Sequence, residues 1–251
     1  MLRKIVLGIV LIIAALAAGF VFWASRSNPL MPAVESALQS DSIVAVEEAG
    51  DWLVFRPRSS APQTGLVFYP GGKVNYRAYA PYAREIAEQG SLVVIVKMPL
   101  NLAVLNPAAA DAVISAYPEV QEWAVGGHSL GGAMAANYAA DHLDQVRGLL
   151  LLAAYPAGSD DLSNTSLSVV SIYGDQDGVA SLETIDASRA LLPESTRFVV
   201  IEGGNHAQFG DYGDQSGDNP AGISRDEQQR LAVQVSVELL QSLSTPSVDN
   251  N

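Results

Sequence analysis

Ser129 stands in the run Gly127-His128-Ser129-Leu130-Gly131, between the apolar stretch EWAVG and the helix-forming stretch AMAANYAADH. A serine in a G-x-S-x-G turn from strand to helix is lifted above its sheet as a nucleophile, and small neighbours give so sharp a turn its clearance. The helix that follows aims free backbone N–H groups at negative charge forming beside the hydroxyl. A simpler alternative is a glycine-rich turn that binds an anion, with Ser129 only capping the helix. The strand-before, helix-after placement favours the nucleophile.

A serine hydroxyl needs a base, and the chain has three histidines. His128 is the neighbour of Ser129 in the turn, so its side chain is expected to diverge from the nucleophile. His142 lies 13 residues along the same helical stretch, a rise of roughly 20 Å, and reads as solvated helix surface. His206, in the loop Glu202-Gly203-Gly204-Asn205-His206 after the last strand-like run, is the expected base. An acid should orient its imidazole from the end of another strand, between serine and histidine in chain order. The run SVVSIYG ends in Gly174-Asp175-Gln176-Asp177-Gly178. Asp177 has room to turn towards the histidine loop and is preferred over Asp175, which suits a turn cap. Asp160 and Asp161 are more distant choices. The loop Pro70-Gly71-Gly72-Lys73 lets the backbone approach a ligand. The N–H groups of Gly72 and Leu130 are therefore the expected oxyanion donors.

These residues need a frame. Apolar runs of strand length occur at 43–46, 52–55, 65–70, 91–96, 122–127, 148–154, 168–174 and 197–203. Segments of helical composition lie at 76–89, 107–117, 130–141, 181–192 and 225–243. Several of the runs are apolar at every position, which marks strands covered on both faces in a parallel sheet. Their alternation with helices implies βαβ crossovers, while Gly50-Asp51 joins the first two runs as an edge hairpin. The expectation is an α/β domain over residues 43–243 with an eight-stranded, mostly parallel sheet and helices on both faces. Function in such sheets gathers at the carboxyl ends of the strands, where Ser129, Asp177 and His206 all fall.

The order Ser129, Asp177, His206, the elbow GGHSLGG and the glycine loop after the third strand resemble the α/β-hydrolase superfamily. The run NHAQFGDYG, the stretch KMPLNLAVLNP and the turn SIYGDQDG are similar to a small branch near the dienelactone-hydrolase-like proteins. The resemblance covers about 200 residues. It implies an α/β-hydrolase fold and hydrolysis through an acyl-enzyme, with no metal or cofactor. Dienelactone hydrolases proper use Cys as nucleophile, so their substrate does not carry over to Ser129. Pro70 stands where many relatives have His before the glycines, which weakens the oxyanion assignment. Lipases of the superfamily insert a lid near residues 155–168, and the 14 residues found there imply an open site.

Residues 5–24 run for 20 residues without a charge, which as a helix would rise about 30 Å, the thickness of the hydrocarbon layer. Arg3 and Lys4 precede the run and only Arg26 closely follows it, which puts the N-terminus in the cytoplasm and the remainder outside. The competing reading is a signal peptide cleaved near Ala15-Leu16-Ala17. Continuation of the apolar run to Trp23 favours an anchor in the lipid bilayer over 1–24. Residues 25–42 then read as a linker with a short helix at 33–38, and 244–251 as a disordered tail. The net charge is −13, and −15 once Arg3 and Lys4 are removed, which disfavours nucleic acid and gives the rest no electrostatic pull to anionic lipid. The absence of Cys removes disulfides and thiolate sites. Asp211, Asp214 and Asp218 lack EF-hand spacing, so a solvated loop is expected there rather than a calcium site. The expected activity is ester hydrolysis on a small-molecule substrate. Its rivals are amide or peptide cleavage by the same residues, and a non-catalytic binding protein on this fold.

Overall fold

The computed structural model describes residues 2–244. The tail expected over 244–251 lies outside them beyond Ser244. Helix α1 (Leu2–Ser25) is exposed along nearly its whole length and is long and apolar enough to cross a membrane. A short α2 (Ala33–Ala37) follows and tucks Val34 and Ala37 into the core.

Eight strands form one sheet in the order β1-β2-β4-β3-β5-β6-β7-β8. β1 (Val44–Ala49) and β2 (Trp52–Pro57) form the edge hairpin, and Gly50 takes the left-handed conformation its turn requires (φ 62°). β2 pairs antiparallel with β4 (Leu92–Val96). From β4 onward through β3 (Thr64–Tyr69), β5 (Glu122–His128), β6 (Gly148–Leu152), β7 (Ser168–Gly174) and β8 (Arg197–Ile201) every pairing is parallel.

The uninterrupted apolar runs have the physical cause inferred from sequence. Along β6, Leu149 and Leu151 enter one buried layer while Leu150 and Leu152 enter the other. One layer contains side chains of α3 (Ala80–Glu88) and α7 (Arg225–Leu243), the other those of α4 (Ala109–Ala116) and α5 (Leu130–Asp141). Each such leucine contributes about 1.5–3 kcal/mol on burial. A polar residue on either face would have no water to turn to.

Three of the differences from the sequence expectation have a clear local cause. Residues 76–79 form a 3-10 turn before α3, because Pro81 sits in the first turn of that helix and Asn75 caps the segment ahead of it. The helical segment expected over 181–192 is α6 (Leu182–Ala187) and a 3-10 turn (Ser188–Leu191) that stops before Pro193. The run 148–154 leaves the sheet after Leu152, where Ala153 takes φ 46° and turns the chain out of the ladder.

Register sets up the site. Tyr69 pairs with Gly127 and His128 with Leu152, so β3, β5 and β6 end in line. The loop beginning at Pro70, Ser129, and the Ala153–Tyr155 segment therefore emerge side by side.

Candidate active site

Ser129 joins β5 to α5 with φ 53° and ψ −124°, a backbone conformation few non-glycine residues adopt. Such a conformation costs about 1–3 kcal/mol and persists only where its surroundings enforce it. Here they do. A Cβ on Gly127 would stand 2.4 Å from the Tyr69 carbonyl oxygen, and one on Gly131 only 2.1 Å from it. Both glycines of the G-x-S-x-G run are thus required by close packing of the elbow onto β3.

Asp177 and His206 meet across the ends of β7 and β8. His206 Nδ1 lies 2.8 Å from Asp177 Oδ2, and both side chains are fully enclosed. The other oxygen, Asp177 Oδ1, accepts the N–H groups of Val179 and Ala180, each at 2.7 Å. These bonds fix the carboxylate before it meets the imidazole. His206 Nε2 is left without a hydrogen-bond partner among the described residues. His206 and Ser129 line a single cleft of about 270 Å³, whose largely apolar walls include Leu130, Ala153, Ala154, Tyr155 and Val179.

The alternative acids go elsewhere. Asp175 Oδ1 accepts the Gly203 N–H at 2.7 Å, tying the ends of β7 and β8. Asp160 is buried against Asn137 and Ser159, and Asp161 caps Ser163. Gly72 and Leu130 adjoin, since a Cβ on Gly72 would stand 3.0 Å from the Leu130 side chain. Among the described residues neither N–H is donated to a protein acceptor.

His142 is less solvated than its sequence position suggests. It closes α5 with its ring stacked on Tyr138 at 4.0 Å and Nδ1 against the Tyr138 carbonyl at 2.8 Å. The expected solvated loop after His206 is also only partly so. Asp211 is buried against Gln229, and burial raises its carboxyl above the usual aspartate value. Asp218 accepts the N–H groups of Gly178 and Ala207 at 3.0 and 2.8 Å, and that of His206 at 3.3 Å. It thereby clamps the Asp177 loop to the His206 loop. Asp214 alone of the three is exposed.

Sequence reasoning missed a second set of residues behind the site. His128 is fully buried, with its ring 4.5 Å from that of His206 and 5.8 Å from that of Phe209. Its Nδ1 is hydrogen-bonded to the Tyr79 hydroxyl at 2.8 Å, and that hydroxyl also accepts the Gly71 N–H at 3.0 Å. Tyr79 thus links the glycine loop after β3 to the elbow. Burial holds His128 well below the ordinary histidine value and His206 adds to this, against the opposing pull of the His206 main chain. His128 thus packs against His206 as a ring that resists taking up a proton.

The comparisons agree with this architecture. A protein of Thermoplasma acidophilum described as a predicted CIB-like hydrolase superposes with TM-score 0.58 at 14% identity, over 78% of this chain and 99% of its own. A protein from Thermus thermophilus superposes with TM-score 0.58 at 16% identity, over 80% and 99%. At such identities the likeness is one of fold. No curated protein sequence matches the chain. The model of the alpha/beta hydrolase family matches residues 65–230, from β3 into α7, and so takes in the elbow, the acid loop and the histidine loop together. On that match, and on a sheet order and elbow that agree with it, the chain belongs to the alpha/beta hydrolase family.

Proposed function

We propose that the protein is a serine hydrolase that cleaves a carboxylic-ester-like bond through an acyl-enzyme. One observation carries this reading. His206 is held by Asp177 at 2.8 Å, while its Nε2 has no partner among the described residues and the ring lines the cleft that Ser129 also lines. A carboxylate at Nδ1 keeps the proton on that nitrogen, which leaves Nε2 free to accept one.

In the first half-reaction Ser129 Oγ attacks the ester carbonyl carbon and its proton passes to His206 Nε2. The carbonyl oxygen becomes an oxyanion in front of the Gly72 and Leu130 N–H groups, which among the described residues are given to no acceptor. The ester C–O bond then breaks, and His206 returns the proton to the departing alkoxide. In the second half-reaction water attacks the acyl-enzyme, giving its proton to His206. On collapse the bond from Ser129 Oγ to the acyl carbon breaks, His206 returns the proton to Oγ, and the acid leaves. Asp177 stabilises the imidazolium formed twice in this cycle. We further read α1 as a membrane anchor with its N-terminus in the cytoplasm and the domain outside, as the position of Arg3 and Lys4 suggests.

The test is a panel of activated esters, lactones and anilides offered to the purified full chain and to Ser129→Ala. Esters should be turned over by the native protein and not by the variant. Anilide cleavage at a comparable rate would move the activity to amide bonds. Ester cleavage that survives in Ser129→Ala would overturn the mechanism.

A further inference from the structure

The last turn of α1 rests on the catalytic edge of the sheet. Ala24 is fully buried, and the Trp23 ring lies 4.3 Å beneath Lys73 Nζ. The same turn packs on the 3-10 turn Pro99–Asn101, whose Asn101 carbonyl accepts the Lys73 N–H at 2.8 Å. Lys73 follows Gly72, and residues 99–101 follow β4, so both contacts of α1 are carboxyl-end loops. The chain beyond α1 is also pinned to that edge. Asn28 donates to the Asp214 carbonyl at 2.8 Å, and the Met31 N–H to that of Asp211 at 3.0 Å, both in the loop after His206. The domain therefore cannot swing freely about the helix, and the edge bearing Ser129 is held next to whatever surrounds α1.

Apolar exposure follows the same edge. Outside α1, seven large apolar side chains are exposed among the described residues: Ile43, Val104, Leu105, Leu143, Val179, Leu182 and Val200. Four of them, Val104, Leu105, Val179 and Leu182, lie on the connections after β4 and β7, and Val179 is also a wall of the cleft. Two cations flank the last turn of α1. Arg26 lies over Phe22 at 4.2 Å and Lys73 over Trp23, and among the described residues neither pairs with a carboxylate. Cations and aromatics flanking an apolar patch match the headgroup level of a bilayer.

We propose that the mouth of the Ser129 cleft is seated on the leaflet that α1 enters, with Val104 and Leu105 at the acyl boundary, and that the substrate is an amphiphilic ester drawn from the lipid phase. The seating rests on reading α1 as a span, and the substrate class rests on the hydrolase reading above. An acyl chain leaving the leaflet would meet the apolar walls of the cleft without crossing water.

The chain has no Cys, so single labels can be placed cleanly. Leu105→Cys, and Leu143→Cys at the far end of α5, are each labelled with an environment-sensitive fluorophore in the full chain in phosphatidylcholine vesicles. Lipids brominated in the acyl chain should quench the label at 105 by at least half and leave that at 143 unchanged. Equal or absent quenching at both positions would overturn the seating. For the substrate, the double variant Val104→Asp/Leu105→Asp should lose at least tenfold on a long-chain nitrophenyl ester dissolved in the vesicles, with hydrolysis of nitrophenyl acetate unchanged. Equal loss on both esters, or loss on neither, would overturn the lipid-phase substrate. A native chain that cleaves neither ester would contradict the hydrolase reading and the substrate class with it, while the quenching still decides the seating.

Discussion

Asp177 and Asp175 lie two residues apart, yet their carboxylates do different work. Asp177 joins His206 Nδ1 to the N–H groups of Val179 and Ala180, and Asp175 joins the ends of two strands. Asp177→Asn would present an amide NH₂ to Nδ1 if its oxygen kept the two main-chain bonds. The imidazole would then carry its proton on Nε2, where it blocks proton transfer from Ser129. Its kcat should fall by about 10⁴-fold with the fold retained. Asp175→Asn should keep kcat and lose about 1 kcal/mol of stability, the order expected when one bond to a charged acceptor is weakened. Steady-state kinetics and thermal unfolding on both variants check this, and the opposite pattern would move the acid role to Asp175. That Ser129, Asp177 and His206 come together was legible in sequence, because motif spacing and chain order constrain them. The residues behind them were not. Tyr79 reaches His128 from 49 positions away, and Asp218 gathers N–H groups 40, 12 and 11 positions off. Only the folded chain brings such partners together, and no local pattern of residue types announces them.

Elements were legible where both faces of a strand are buried, since that environment writes itself into the sequence as runs such as GLLLL and LVVIV. The 3-10 turns over 99–101 and 103–105 left no periodic signal, being too short to repeat. What joins the elements around the site is a group of rings: His128 from β5, Tyr79 from the turn before α3, and His206, Phe209 and Tyr212 from the loop after β8. Its pH response follows from burial. His128 takes up a proton less readily folded than unfolded, so the unfolded chain binds more protons over the window between its two values. The stability that a neutral His128 confers is present above the unfolded histidine value of about 6.5 and is lost as the pH falls towards the folded one. The slope is at most about 1.4 kcal/mol per pH unit from this residue. His128→Asn should flatten the fall in urea unfolding free energy between pH 6.5 and 5, whatever its offset at neutral pH. Parallel slopes for native and variant chains would show that His128 is not the group concerned.

At the scale of the whole molecule, the sequence supplied an apolar helix and an acidic α/β domain as separate parts. Their joint was not legible, because it depends on where residues 26–37 run across the finished surface. In the structure that path fixes the end of α1 on the edge that carries Ser129, Asp177 and His206. A fold matched by 1078 solved chains does not by itself specify chemistry, which lies in the site. Covalent trapping tests most directly whether Ser129 is an activated nucleophile. The full chain is treated with a fluorophosphonate, which phosphonylates an activated serine, and the adduct is located by peptide mass. One adduct per chain on the peptide containing Ser129, absent from Ser129→Ala, is the expected result. Equal labelling of the native protein and Ser129→Ala, or an adduct on another residue, would contradict it.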